Sequence, residues 1–130
     1  MATALDQICN HLEFLGYEID RVKEEFILAR HQKHANFALK IHGFGALAAA
    51  IYEVSEDGKR QRADFMERLN FYNNAARVCR AYLDKNSDLL IEAVFPNLYD
   101  RTAFGVFIEL FNDDIRLLFI GDKNLTEYLS

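Results

Sequence analysis

Tryptophan is absent from this 130-residue chain, proline occurs once and glycine six times. So few helix and strand breakers exclude a linker-rich, low-complexity or collagen-like sequence. Cysteine is scarce too, with Cys9 and Cys79 far apart in unlike contexts. The two could pair in principle but make no disulfide framework, and no Cys-x-x-Cys pair offers a zinc site. The opening residues MATALDQICNHLEFLG have no basic start and no continuous apolar stretch, so no export signal is read there. The expected setting is therefore the reducing cytoplasm, with both thiols free. Long apolar runs are also missing. The longest, GFGALAAAIY at 43–52, is about half of the ~20 residues that a membrane-spanning helix needs. Concentrated positive charge is the last absence. Net charge is −5, and the densest basic stretch is GKRQR at 58–62. Phosphate backbones demand a larger patch, so no nucleic-acid partner is expected, and Lys59, Arg60 and Arg62 read as a solvated turn leading into a helix.

What the chain does contain is apolar and aromatic. Hydrophobic residues make up 51% of it, with eleven phenylalanines and six tyrosines. That suits one domain, residues 1–130, around a continuous core, with the aromatics either packed densely inside it or partly shown to a partner. Leu5, Ile8, Cys9, Leu12 and Leu15 recur at helical spacing, which predicts a helix over 3–15 with Gly16 as its stop. The charged stretch EIDRVKEE reads as a connector. Alternation then predicts strands at 26–31, 36–42 and 46–54, the last bracketed by Gly45 and SEDGK. A helix over 62–76 carries Phe65, Leu69, Tyr72 and Ala76 on one stripe. Strands at 78–84 and 88–95 flank a tight turn at 84–87, and a long helix over 101–119, capped by Asp100 or Thr102, presents Phe104, Phe107, Ile108, Phe111, Ile115 and Leu118. Residues 120–130 have no readable period. The expected architecture is α+β, in the order α-β-β-β-α-β-β-α, with an antiparallel five-stranded sheet and the helices mainly on one face.

No catalytic constellation stands out. His31 and His34 lie three apart in a predicted turn and His42 ends the next strand, but nothing supplies converging zinc ligands, and exposed turn histidines are the plainer reading. Cys79 precedes Arg80, yet alternation groups it with Ala81 and Leu83 on the core face, where a thiol is inert. Glu24-Glu25 and Asp113-Asp114 are neighbours in sequence, which reads as solvated surface. Asn70, Asn73 and Asn74 cluster at a helix end, where side chains can close the turn into the next strand or form a polar recognition patch. No metal, no cofactor and no enzymatic activity are expected.

The run LNFYNNAARVCRAYLDKNSDLLIE, residues 69–92, together with LGYEI at 15–19, resembles the YbjN-like domain family of the type III secretion chaperone-like fold. The resemblance rests on Asn70, Tyr72 and Asn73 at the helix end, then Arg80, Ala81, Tyr82, Leu83 and Asp84. The family turn usually carries Gly, whereas this chain has Asn86-Ser87, with Asn able to adopt the left-handed conformation. The resemblance implies a bacterial, non-enzymatic regulator; the fold's chaperone relatives are dimeric.

Strand alternation assigns the faces of the sheet. Phe37, Leu39, Ile41, Leu47, Ile51, Ala81, Leu83, Leu89, Ile91, Ala93 and Phe95 are expected against the helices. That leaves Ala38, Ala46, Ala48, Ala50, Tyr52, Val54, Tyr82, Leu90 and Val94 outward, relieved by Lys40, His42, Arg80 and Glu92. A one-sided antiparallel sheet normally shows water a polar row. This one reads as apolar, so a partner surface of Tyr52, Arg80, Tyr82, Leu90 and Val94 is expected, in a homodimer or with another protein. Cover by residues 120–130, or inverted parity in one strand, are the other ways to account for it. A small-molecule or metal-dependent sensor or enzyme would instead need a pocket lined by His31, His34 or the asparagines.

Overall fold

The computed structural model describes residues 3–43, 45–96 and 98–130. Helix α1 (Ala4–Phe14) begins at a capping box, in which Thr3 Oγ1 accepts from the Asp6 N–H and Asp6 Oδ2 accepts from the Thr3 N–H. It ends at Gly16, whose φ of +97° few other residues tolerate. Strands β1 (Glu18–Lys23), β2 (Phe26–Arg30), β3 (Phe37–His42) and β4 (Gly45–Tyr52) follow as successive hairpins. A short α2 (Glu56–Arg60) and α3 (Arg62–Ala75) lead to β5 (Arg80–Leu83) and β6 (Leu89–Phe95). Helix α4 (Arg101–Gly121), capped by Asp100 through the Ala103 N–H, and α5 (Lys123–Glu127) complete the chain.

The sheet is wholly antiparallel in the order β1-β2-β3-β4-β6-β5, so it has six strands where the sequence reading expects five. The added strand is β1, read as a charged connector. Its residues are exposed apart from the half-buried Ile19, so neither face carries an apolar alternation. Pairing with β2 and the ion pairs Arg30–Asp20 and Arg21–Asp6 hold it instead. Charges and a bulge between Arg21 and Lys23 suit an edge strand, because both discourage pairing with another chain.

One face of the sheet builds the core. Ile27, Ala29, Phe37, Leu39, Leu89, Ile91, Ala93 and Phe95 are buried with α4's Phe104, Phe107, Phe111 and Leu118 and with α3's Phe65 and Leu69. Strand β4 inverts the expected parity. Ala46, Ala48, Ala50 and Val54 are buried, while Leu47, Ala49 and Ile51 point the other way. Register enforces this, since Ala48 lies opposite both Leu39 and Ala93, which are core residues. The phenylalanines of α4 fill the space above the sheet, so alanine and not leucine fits beneath them.

The β5–β6 turn also differs in detail. Ser87, not Asn86, takes the left-handed conformation (φ +63°), and Asp84 Oδ1 accepts from the N–H groups of Asn86 and Asp88. The C-terminal residues pack on the helical side and leave the outer sheet face open. Tyr128 is buried against Phe65, its hydroxyl donates to Asp64 Oδ2 at 2.5 Å, and Val54 bridges to Leu129. Gly58 is required there: a Cβ would stand 2.5 Å from the Tyr128 carbonyl oxygen.

Candidate interaction face

The outer face of the sheet is built by cross-strand rows, because residues directly opposite in register share a face. One row runs Asp20, Leu28, Ala38, Ala49, Glu92, Arg80. A second joins Phe26, Lys40, Leu47 and Val94, and a third joins Ile51, Leu90 and Tyr82. Ile51 and Val94 are each 62% exposed and Leu28 is 38% exposed. The small side chains of Ala38 and Ala49 leave a shallow depression of about 290 Å³ bounded by Leu28 and Ile51.

Beside this apolar centre sits a charged knot. Glu92 is only 8% exposed although it faces outward, because Arg80 pairs with it and the Tyr82 hydroxyl donates to its Oε2 at 3.1 Å. The Arg80 guanidinium lies 5.1 Å from the Tyr82 ring centroid, a cation–π distance. Burial, then the neighbouring Glu92 carboxylate, lifts the Tyr82 hydroxyl above its usual range. Tyr82 is thus held in place by Glu92 and Arg80.

Of the expected partner residues, Arg80, Tyr82, Leu90 and Val94 stand together on this face. Tyr52 does not. It shares the inner face with Ala46, Ala48 and Ala50 and packs edge-on against Phe119, with ring centroids 5.1 Å apart. Leu28, Leu47 and Ile51 take its place in the patch. The signal for them was available: two residues separate His42 from Gly45, and a two-residue hairpin puts Ile41 opposite Ala46 and therefore Leu47 outward.

His31 and Asn73 are held by hydrogen bonds within the fold. His31 Nδ1 accepts from the N–H groups of Lys33 and His34, which fixes the proton on Nε2, where it is shared with the Leu15 carbonyl at 3.2 Å. Both ring nitrogens are thereby occupied, and His31 and His34 are half-buried instead of exposed. Among the described residues no three His, Cys, Asp or Glu side chains converge as a metal site would require. Asn73 closes the turn into β5: its amide donates to the Ala81 carbonyl and accepts from the Ala81 N–H, occupying the sheet's second edge. Asn70 and Asn74 are exposed.

Asp114 overturns its reading as solvated surface. It is 3% exposed, and its carboxylate accepts from the consecutive N–H groups of Arg77, Val78 and Cys79. The Cys79 thiol is buried, and burial followed by the Asp114 charge pushes its pKa up to about 12. It stays protonated and unreactive. Cys9 is buried too, and neither cysteine is in a disulfide.

A six-stranded antiparallel sheet with helices on one side defines the class: the chain has the YbjN-like, type III secretion chaperone-like fold. The structure of YbjN from E. coli, a candidate transcription regulator, superposes with a TM-score of 0.74 at 16% identity, over 97% of this chain and 95% of that one. A chain in the heterodimeric ExoU–SpcU complex from the type III secretion system of Pseudomonas aeruginosa superposes with a TM-score of 0.63 at 12% identity, over 93% of this chain and 96% of that one. An uncharacterized protein from Methanothermobacter thermautotrophicus matches at 0.64 and 12% identity, over 86% and 91% of the two chains. No protein-family profile and no curated protein sequence matches the chain. Among the described residues no helix is long and apolar enough to cross a membrane.

Proposed function

We propose that this chain is a non-enzymatic protein-interaction module, chaperone- or adaptor-like, that works through the outer face of its sheet. The observation that carries the reading is the set of apolar residues Leu28, Leu47, Ile51, Leu90 and Val94, spread over three cross-strand rows of a face that neither the helices nor the C-terminal residues cover. Burying such a surface is favourable in proportion to its apolar area. The occupant supported by the face itself is a second copy of the chain. Ile51 protrudes beside the depression floored by Ala38 and Ala49, so a two-fold axis seats each protomer's Ile51 in its partner's depression. Charges of both signs surround it, with Asp20 beside Arg30 and Glu92 beside Arg80, which makes the face electrostatically self-compatible.

A second reading, an apolar segment of another protein on the same face, is favoured by the heterodimeric ExoU–SpcU complex, one chain of which shares this fold. YbjN's description as a candidate transcription regulator suggests regulation. With a net charge of −5 and no basic patch, this chain would exert it through protein contacts and not on nucleic acid. Light scattering with and without Ile51→Asp tests the homodimer. Affinity capture with the same pair of proteins tests the second reading, where a partner must be lost with Ile51→Asp and retained with an exposed substitution on α3 such as Glu67→Gln.

A further inference from the structure

Strand β4 runs on past both of its neighbours. Its register with β3 ends at Ala49 and with β6 at Tyr52, so the backbone of Glu53–Ser55 has no partner in the six-stranded sheet. The C-terminal segment 122–130 supplies one. Val54 bridges to Leu129, flanked by the Ser55 N–H donating to the Tyr128 carbonyl at 2.7 Å and the Ser130 N–H donating to the Glu53 carbonyl at 2.9 Å. Leu125 and Tyr128 are the buried anchors, with the Tyr128 ring centroid 5.3 Å from that of Phe65. Around them the hold is polar. Arg68 Nη1 donates to both Asp122 carboxylate oxygens at 2.9 Å, and Asp64 Oδ2 accepts from Arg68 Nε and from the Tyr128 hydroxyl. The Arg68 and Asp122 side chains are 27% and 30% exposed, where an ion pair adds little to stability. Nor is the segment closely packed on its other side. A cleft of about 160 Å³ separates Leu125 and Asp122 from Ala75, Leu117 and Gly121 at the seam of α3 and α4, and Phe71 stands exposed at its rim.

Backbone pairing along a free strand edge, with side-chain pockets for a few anchors, is a general mode of peptide recognition. We propose that segment 122–130 occupies a peptide-docking groove in cis, and that the groove's other occupant is a segment of another protein with the same pattern, Leu-x-x-Tyr-Leu. The incoming leucine and tyrosine take the places of Leu125 and Tyr128, the tyrosine hydroxyl donates to Asp64, and the backbone pairs with Glu53 and Ser55. The pattern is read from the segment seated there, to which Asp64, Phe65 and the Glu53 and Ser55 backbone are already matched. Tethering sets the threshold. A linked segment stands at an effective concentration in the millimolar range, so a weak peptide is excluded and a tighter one displaces it. The groove is on the helical side of the sheet, so its failure would leave the outer-face reading untouched.

The test uses the full chain, isotopically labelled, and a free peptide of its own residues 122–130, DKNLTEYLS. In the parent, the Ser55 N–H should exchange with solvent about a hundredfold faster than the amides of β6, because the segment opens without the sheet. The peptide, titrated into the parent against its tethered copy, should give saturable NMR shifts at Ser55 and Gly58 at about 1–10 mM. Tyr128→Ala in the chain releases the tethered copy and should tighten peptide binding at least about tenfold, while Tyr128→Ala in the peptide abolishes it. Exchange at Ser55 as slow as in β6 overturns the proposal, whether or not the variant folds. Absence of saturable shifts in the parent at about 10 mM overturns it too. So does a folded Tyr128→Ala chain that binds the peptide no tighter than the parent, or that pairs with a second copy and leaves the peptide free.

Discussion

Ile51 on β4 and Leu90 on β6 stand directly opposite each other and both project from the uncovered face of the sheet. One residue along β6, Ile91 lies opposite Ala50 and is fully buried. The two isoleucines therefore separate the faces cleanly. Ile91→Ala should destabilise the fold by about 2–4 kcal/mol, because it opens a cavity beneath α4. Ile51→Ala should change it by less than about 0.5 kcal/mol. Urea denaturation of both variants checks the parity of β4 and β6, and the reverse ranking would invert the assignment of faces.

Asp114 anchors the link between α3 and β5. Removing its carboxylate strands three backbone donors, at Arg77, Val78 and Cys79, the last of them buried. Asp114→Ala should cost at least about 3 kcal/mol, and Asp114→Asn less, since an amide oxygen still accepts. Chemical denaturation measures both. An alanine variant within about 1 kcal/mol of the parent would show that the link is satisfied otherwise.

Gly58 lets the C-terminal residues close against α2. An alanine there meets the Tyr128 carbonyl oxygen at 2.5 Å and Val54 Cγ1 at 2.7 Å. Gly58→Ala should displace Tyr128 and Leu129 and cost about 1–3 kcal/mol, the range for overpacking. Hydrogen exchange should quicken at Ser55, whose N–H donates to the Tyr128 carbonyl, and at Ser130, whose N–H donates to Glu53.

Acid should weaken the fold in two stages. Burial, then Arg101, holds His11 below the ordinary histidine value, and burial, His31 and Arg116 do the same for His34. Between those lowered values and about 6.5 the unfolded chain binds more protons than the folded one, so stability falls as pH drops below about 6.5. A second loss follows toward pH 2. The Thr3 N–H and Arg21 hold Asp6 at about 2, and Arg68 and Tyr128 hold Asp64 down. Melting temperatures from pH 7.5 to 5 should decline, and less steeply in a His11→Gln, His34→Gln double variant. A flat or rising profile would contradict the histidine assignment.

The periodic elements were legible because each buries one side. α1, α3, α4, β2, β3 and β6 all carry apolar residues at helical or alternating spacing, and their bounds follow within a few residues. β1 was not, since a charged edge strand has no buried face to announce it. β4 has apolar residues at both parities, so side-chain size pointed to Leu47 and Ile51 as core where hairpin register decides for the alanines. Tyr52 left the candidate patch for that reason alone, while Arg80, Tyr82, Leu90 and Val94 kept their places. The role of Asp114 depends on a group 35 positions away, a separation that no local pattern encodes.

The proposed dimer closes the outer sheet face of one copy on that of a second, with Ile51 at its centre. Static light scattering across micromolar concentrations, on the parent and on Ile51→Asp, tests it most directly. A parent mass near twice the 15.1 kDa of the chain is expected, with a folded variant at the chain mass. A parent that is monomeric throughout, or a dimer that survives Ile51→Asp, would contradict it.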